Sequence, residues 1–138
     1  TAPQLALFIV LVLQLLSSYK SRGLMELNVF ERLLLRNIVP QIQGWNYGHM
    51  KEARELIEGL FSEQEETDLQ FEQEGTQVKW KVKREDGSDI PQERDIPISE
   101  GLNKKIGKFL KQLDKEERLE MQHFTLCAKF GMGDKLPN

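Results

Sequence analysis

The clearest hydrophobic pattern in the chain lies between Asn28 and Val39, where apolar residues recur at the three- and four-residue spacing of a helix. These residues are Val29, Phe30, Leu33, Leu34 and Ile38. Asn28 suits an N-cap, and Glu31 completes a capping box with it. Pro40 should end this core helix, because the residue before a proline is pushed out of helical geometry. The charged residues of the helix should face water: Glu31, Arg32 and Arg36.

Two more helices are predicted after a loop at residues 41–49. The second helix should run from Met50 to Phe61, with an apolar face made of Met50, Ala53, Leu56, Ile57, Leu60 and Phe61. Ser62 and Glu65 form a second capping box, which predicts a short third helix rich in carboxylates.

The period changes to two between Leu69 and Lys83, which predicts a β-hairpin. Gly75 and Thr76 form its two-residue turn, and glycine in the first central position suits a type II′ turn. The resulting register gives two core-facing pairs: Phe71 with Trp80, and Leu69 with Val82. It also gives two solvent-facing pairs of opposite charge, which support the register: Glu72 with Lys79, and Asp68 with Lys83.

The last third of the chain should complete one compact α+β domain. Residues 84–98 are predicted to form a loop that lies against the domain through Ile90, Ile96 and Ile98. Ser99 should cap a fourth helix, with Leu102, Ile106, Phe109, Leu110 and Leu113 inward. Asp114 should cap a fifth helix, with Glu117 at the box position and an apolar side made of Leu119, Phe124, Leu126, Cys127 and Phe130. The predicted domain, about five helices packed with one hairpin around a single core, spans 25–131, and 132–138 form a loose tail.

The N-terminal segment, residues 1–24, differs from the rest. Leu5 to Leu16 is a strongly apolar run that is shorter than the roughly 20 residues a membrane span needs. Three interpretations stay open: a truncated membrane anchor, a helix buried in the domain or in a partner, or sequence upstream of a natural start at Met25.

Composition narrows the classes of function. The chain has 138 residues, and its 22 acidic and 19 basic residues give a net charge of −3. This balance argues against bulk attraction to nucleic acid or to an anionic membrane. The single cysteine, Cys127, excludes an internal disulfide and a multi-cysteine zinc site within one chain. A lone cysteine also fits a reducing compartment.

The order helix, helix, short helix, hairpin is that of a winged helix-turn-helix. Here the third helix carries carboxylates that phosphates would repel: Glu63, Glu65, Glu66 and Asp68. Lysines of the hairpin can still contact a nucleic-acid backbone as a wing: Lys79, Lys81 and Lys83. We expect an architectural use of this topology, with a nucleic-acid-associated regulator as an alternative.

A second group of lysines recurs at helical spacing: Lys104, Lys108, Lys111 and Lys115. The stripe indicates either a patch for phosphate or an acidic partner, or the solvated face of an amphipathic helix. Trp45 and Tyr47, in a loop with two glycines, are the best candidates for protein contact, unless they fold back over the core.

Signals for catalysis are weak. Glu120, His123 and Cys127 share a helical face, but so few candidates do not define a tetrahedral metal site. We expect a half-buried histidine and a core cysteine instead. No phosphate-binding glycine loop, nucleophile elbow or carboxylate pair is present in the sequence. We predict no catalytic residues, no metal and no cofactor.

Several stretches after Met25 resemble a group of small bacteriophage and prophage proteins of uncharacterised activity. They are MELNVFERLLLRNIVP at 25–40, EGTQVKW at 74–80, DIPISE at 95–100 and LKQLDKEERLEMQHFTLCAKF at 110–130. The resemblance implies a viral origin and a host-cytoplasmic setting, and it leaves out residues 1–24. It implies no functional residues.

The sequence therefore predicts a small non-catalytic protein of phage type that binds a protein partner or itself. Two alternatives belong to other classes. One is the nucleic-acid-associated regulator, and the other is a membrane-tethered domain that uses Leu5 to Leu16.

Overall fold

The structure is a computed structural model that describes residues 23–131. Its strands are β1 (Leu24–Asn28), β2 (Glu72–Glu74), β3 (Gln77–Lys79) and β4 (Glu93–Pro97). Its helices are α1 (Val29–Ile38), α2 (Tyr47–Gly59), α3 (Glu63–Leu69), α4 (Glu100–Lys115) and α5 (Phe124–Lys129), with 3₁₀ turns at Val39–Gln41 and Met121–His123. The predicted α+β class is confirmed, with two antiparallel sheets and one hydrophobic core in the described range. The predictions for residues 1–22 and 132–138 lie outside it.

The sequence did not indicate the sheet formed by β1 and β4. Its register runs from Leu24 opposite Pro97 to Asn28 opposite Glu93. Residues 84–98 were predicted to be a loop, and their isoleucines are buried as expected. β4 was missed because it contains one buried apolar residue, Ile96, among charged neighbours. Its partner lies some seventy positions earlier, so no local pattern marks the pairing.

The capping box of α1 is confirmed. The Asn28 side chain accepts from the Glu31 amide at 2.7 Å, and the Glu31 carboxylate accepts from the Asn28 amide at 3.0 Å. The helix does not stop sharply before Pro40 but continues as a 3₁₀ turn. Pro40 lies near the start of this turn, where its missing backbone N–H would have no acceptor within the turn. The prediction that Glu31 and Arg32 face water is wrong, since both are 0% exposed.

Arg32 is buried because distant parts of the chain supply its acceptors. Its guanidinium donates to the carbonyl oxygens of Leu60 at 3.0 Å and Gln92 at 3.2 Å, and it forms an ion pair with Glu65. It also lies 4.6 Å from the centre of the Phe61 ring. Arg32 therefore joins α1 to the α2–α3 connection and to the residues that precede β4.

Glu65 is the acid at the centre of this network. Besides Arg32, it pairs with Arg94 at 2.8 Å and accepts from the Ser62 amide at 3.0 Å. Burial acts to raise the pKa of this carboxyl, but the hydrogen bonds from Ser62, Arg32 and Arg94 outweigh it, and the net result is a lowered pKa. The third helix thus begins with its predicted capping box, and the acid of that box, Glu65, also pairs with the buried Arg32.

Glu31 is held by the last helix. Lys129 Nζ donates to the Glu31 carboxylate at 2.7 Å and to the Glu26 carbonyl oxygen at 2.7 Å. A buried carboxylate needs such a partner. The pair fastens α5 to β1 and to the first turn of α1.

The hairpin turn and its adjoining pairs are confirmed, but the strands are shorter than predicted. Glu72 lies opposite Lys79, and Gly75 has a φ of +62°, the sign that a type II′ turn needs. Phe71 and Trp80 flank the Glu72–Lys79 pair and are half-buried against the core.

The predicted pairs further from the turn are wrong. Leu69 and Asp68 belong to α3, and Asp68 pairs with Arg84 at 3.3 Å. Lys83 pairs instead with Asp89, through a separate bridge, and Val82 is 54% exposed. Gln70 ends α3 in a left-handed conformation with a φ of +47°, and the Leu69 carbonyl oxygen accepts from the Lys81 amide at 2.8 Å, one residue away from the predicted partner Val82.

The two C-terminal helices differ in how well they were predicted. Ser99 caps α4 as expected, accepting from the Leu102 amide at 3.2 Å. Asp114 does not cap a fifth helix, because α4 continues to Lys115. It ends in a Schellman motif, in which Glu117 has a φ of +56° and the Arg118 amide donates to the Leu113 carbonyl oxygen at 2.8 Å.

Candidate functional site

The structure assigns different roles to the two aromatic residues predicted to make contacts. Trp45 is half-buried, and Lys105 Nζ lies 4.9 Å from the centre of its ring. The same ammonium donates to the Gly44 carbonyl oxygen at 2.6 Å. Lys105 therefore fixes the loop before α2 against α4, and Trp45 anchors that loop.

Tyr47 is the first residue of α2 and is 84% exposed. The helix starts earlier than predicted because Asn46 accepts from the His49 amide at 2.7 Å and caps it. Met50, which was predicted to face the core, is 52% exposed. Residues three apart share a helix face, so Tyr47 and Met50 together form an apolar surface on a rigid helix start. We refer to it as the Tyr47–Met50 surface.

A second pair of exposed apolar residues lies beside α5. Met121 is 89% exposed and Phe124 is 66% exposed. Sequence reasoning placed Phe124 in the core, because residues 119–130 contain more apolar residues than one face can bury. Leu126 and Phe130, four residues apart, take the inward positions. Phe124 falls outside that four-residue spacing, and this difference is the signal in the sequence that would have identified it as exposed.

The lysines of the predicted wing are exposed, and two of them form surface ion pairs. Lys79 pairs with Glu74 at 2.9 Å and Lys83 with Asp89 at 3.4 Å, while Lys81 is also exposed. Pairing with neighbouring carboxylates reduces the positive field that a nucleic-acid backbone would meet.

The lysine stripe of α4 points away from the core. Its four members are exposed: Lys104, Lys108, Lys111 and Lys115. The buried residues of the same helix include Leu102, Ile106 and Leu110, which lie on the opposite side. The geometry is that of an amphipathic helix with a solvated basic face.

The cluster predicted near the C-terminus contains a buried histidine and a half-buried cysteine, whereas a half-buried histidine and a core cysteine were expected. His123 is 8% exposed, and its Nδ1 accepts from the Glu120 amide at 2.9 Å. Burial, and then the charge of Asp114, raise the pKa of the Cys127 thiol, which disfavours the nucleophilic thiolate. Among residues 23–131, no group of three or more His, Cys, Asp and Glu side chains is placed to hold a metal ion.

A cleft of about 640 Å³ lies between α2 and β4. Its size is within the range of sites that bind small molecules or peptide side chains. Apolar residues line part of it: Leu56, Ile96, Ile98 and Leu102. Its polar lining includes Glu52, Glu55 and Arg94, and the Ser99 hydroxyl donates to Glu52 at 2.7 Å.

Comparison with known proteins found no matching family model, no similar curated protein and no similar solved structure. In the part of the chain that the structure describes, no helix has the length and apolar character needed to cross a membrane.

Proposed function

We propose that this chain is a non-catalytic protein-binding module of bacteriophage or prophage origin, which acts in the host cytoplasm. The observation that carries the binding role is the Tyr47–Met50 surface, where two large apolar side chains are exposed on a capped helix start. Aromatic residues and methionine are enriched in protein interfaces. The phage origin and the cytoplasmic setting are supported by the sequence resemblance after Met25.

The rigidity of the surface supports this role. Trp45 and Lys105 hold the preceding loop, so binding orders little additional backbone. A tyrosine also loses few rotatable bonds when it becomes buried in an interface. Tyr47 is therefore the best-placed residue to act as an anchor for a partner protein.

A pull-down from nuclease-treated host lysate tests the proposal, with the full chain as bait. The wild type should retain one stoichiometric protein partner, and the double variant Tyr47→Ser, Met50→Ser should lose it. Val82→Ser is the matched control, because Val82 is 54% exposed and far from α2 in sequence. This control should bind like the wild type.

Three outcomes contradict the proposal. Capture that occurs only when the nuclease is omitted would favour the nucleic-acid alternative, and recovery of the bait with no partner protein would contradict binding of a host protein. Equal capture by the wild type and the double variant would show that the partner uses another surface.

A further inference from the structure

The two outer edges of the β1–β4 sheet differ in whether their backbone N–H and C=O groups have hydrogen-bond partners. The Ile98 amide donates to the Gly23 carbonyl oxygen at 2.9 Å, so these two residues form a hydrogen-bonded pair. In an antiparallel sheet, hydrogen-bonded and non-hydrogen-bonded pairs alternate, and this pair therefore fixes which residues of the register bond across the sheet. By that alternation, the N–H and C=O groups of Asp95 point away from β1, as does the Pro97 carbonyl.

Side chains cover part of the outer edge of β1. Lys129 donates to the Glu26 carbonyl oxygen at 2.7 Å, and Glu31 accepts from the Asn28 amide at 3.0 Å. Arg32 Nε lies 3.4 Å from the Asn28 carbonyl oxygen. These contacts occupy the end of this edge nearest α1, from the Glu26 carbonyl oxygen to Asn28.

The outer edge of β4 has no such cover among residues 23–131. Asp95 and Pro97 are exposed, and no hydrogen bond to their outward backbone groups is formed within this range. Pro97 and Ile96 also line the cleft between α2 and β4. The open edge therefore borders a groove with a partly apolar lining.

Carboxylates flank this edge on both sides of the sheet. Glu52 and Glu55 of α2 line the cleft, and no ion pair to either is formed within the described range. On the opposite face, Glu93 and Asp95 of β4 lie near Glu26 of β1. The pKa of Glu26 is raised, first by a hydrogen bond with Glu93 and then by the charges of Glu93 and Asp95. The one arginine in the cleft, Arg94, is already paired with Glu65.

We propose that β4 accepts an extended segment of a partner protein, rich in lysine or arginine, as a third strand of the β1–β4 sheet. Backbone hydrogen bonds to Asp95 and Pro97 supply the pairing, and alternate side chains enter the cleft. The carboxylates select basic segments, and they oppose pairing with the equally acidic edge of a second copy. This inference shares with the proposed function only the premise that the partner is a protein, since its surface is separate from Tyr47 and Met50.

A short peptide of alternating lysine and valine tests this inference by NMR titration of the full ¹⁵N-labelled chain. We expect saturable chemical-shift changes centred on β4, Glu55 and Gly59. The affinity for the peptide should fall as the salt concentration is raised. Replacing lysine by glutamate in the peptide should abolish binding. Methylating alternate backbone nitrogens should also abolish it, because strand pairing needs those donors.

Glu55→Gln should weaken binding of the peptide about threefold, as the loss of one exposed charge contact. Glu58→Gln is the matched control on the same helix, because Glu58 does not line the cleft and should leave binding unchanged. Absent binding, shifts centred away from β4, or full affinity of the methylated peptide would each overturn the inference. None of these results affects capture through Tyr47 and Met50, so the two proposals can fail separately.

Discussion

Replacing Arg32 by methionine should destabilise the fold far more than removing any surface cation. Arg32 is 0% exposed, and methionine keeps much of its volume while removing the charge and all its donors. The change leaves Gln92 without its donor, and it leaves Glu65, only 17% exposed, with Arg94 as the remaining cation. Removing one partner of a buried ion pair costs about 3–5 kcal/mol. Because Arg94 remains, we expect a loss of about 3 kcal/mol.

Urea denaturation followed by circular dichroism measures this loss, and in thermal melts it corresponds to a fall in Tm of about 12 °C. Arg54→Met is the matched control, because Arg54 pairs with Glu58 while 82% exposed. An exposed helical pair of this kind is worth only about 0.3–0.5 kcal/mol. A loss below about 1 kcal/mol for Arg32→Met would refute the reasoning that this network supports the core.

The same network predicts a dependence on pH. The folded state lowers the pKa of Glu65, so its contribution is present above the unfolded pKa and is lost as the pH falls through the folded value. Arg32→Met removes part of the cause of the shift. The difference in unfolding free energy between wild type and variant should therefore shrink on acidification, and a constant difference would count against this explanation.

Three further predictions concern other contacts. Lys129→Met should cost about 3 kcal/mol by urea denaturation, because it leaves the buried Glu31 carboxylate without a cation, and adding Glu31→Gln should restore part of that loss. Gly48→Ala should raise Tm because alanine has the higher helix propensity, a gain of at most ~1 kcal/mol. Gly107→Ala should not raise Tm, because the added Cβ would lie 3.0 Å from a backbone carbonyl oxygen. Equal gains for the two variants would contradict the close approach of α4 to the end of α5. Glu26→Gln should raise Tm at pH 7, because a hydrogen bond with Glu93 and then the charge of Glu93 raise the pKa of Glu26 and so disfavour its ionised form in the folded state. The gain should diminish at low pH, and a gain independent of pH would exclude this cause.

Local signals in the sequence determined three helix starts and one turn. Asn28 with Glu31, Ser62 with Glu65, and Ser99 cap their helices as predicted, because capping depends on residues within one turn of each other. The turn at Gly75 was predictable for the same reason. These short-range rules were sufficient to give the α+β class.

Tertiary structure alone decided which charged and apolar residues are buried. Glu31 and Arg32 look solvent-facing in a helical pattern, but Lys129 and Glu65 bring the opposite charges that buried ionic groups need. Phe124 looks like a core residue, but Leu126 and Phe130 occupy the space that the rest of the fold leaves.

The candidate surfaces divide in the same way. The sequence identified Tyr47 as a possible contact residue from its type and its place next to a loop. It did not indicate β4 or its open edge, because pairing with β1 depends on residues some seventy positions away. Local hydrogen bonding is encoded within a few residues, whereas strand pairing and ion-pair burial depend on which distant segments the folded chain brings together.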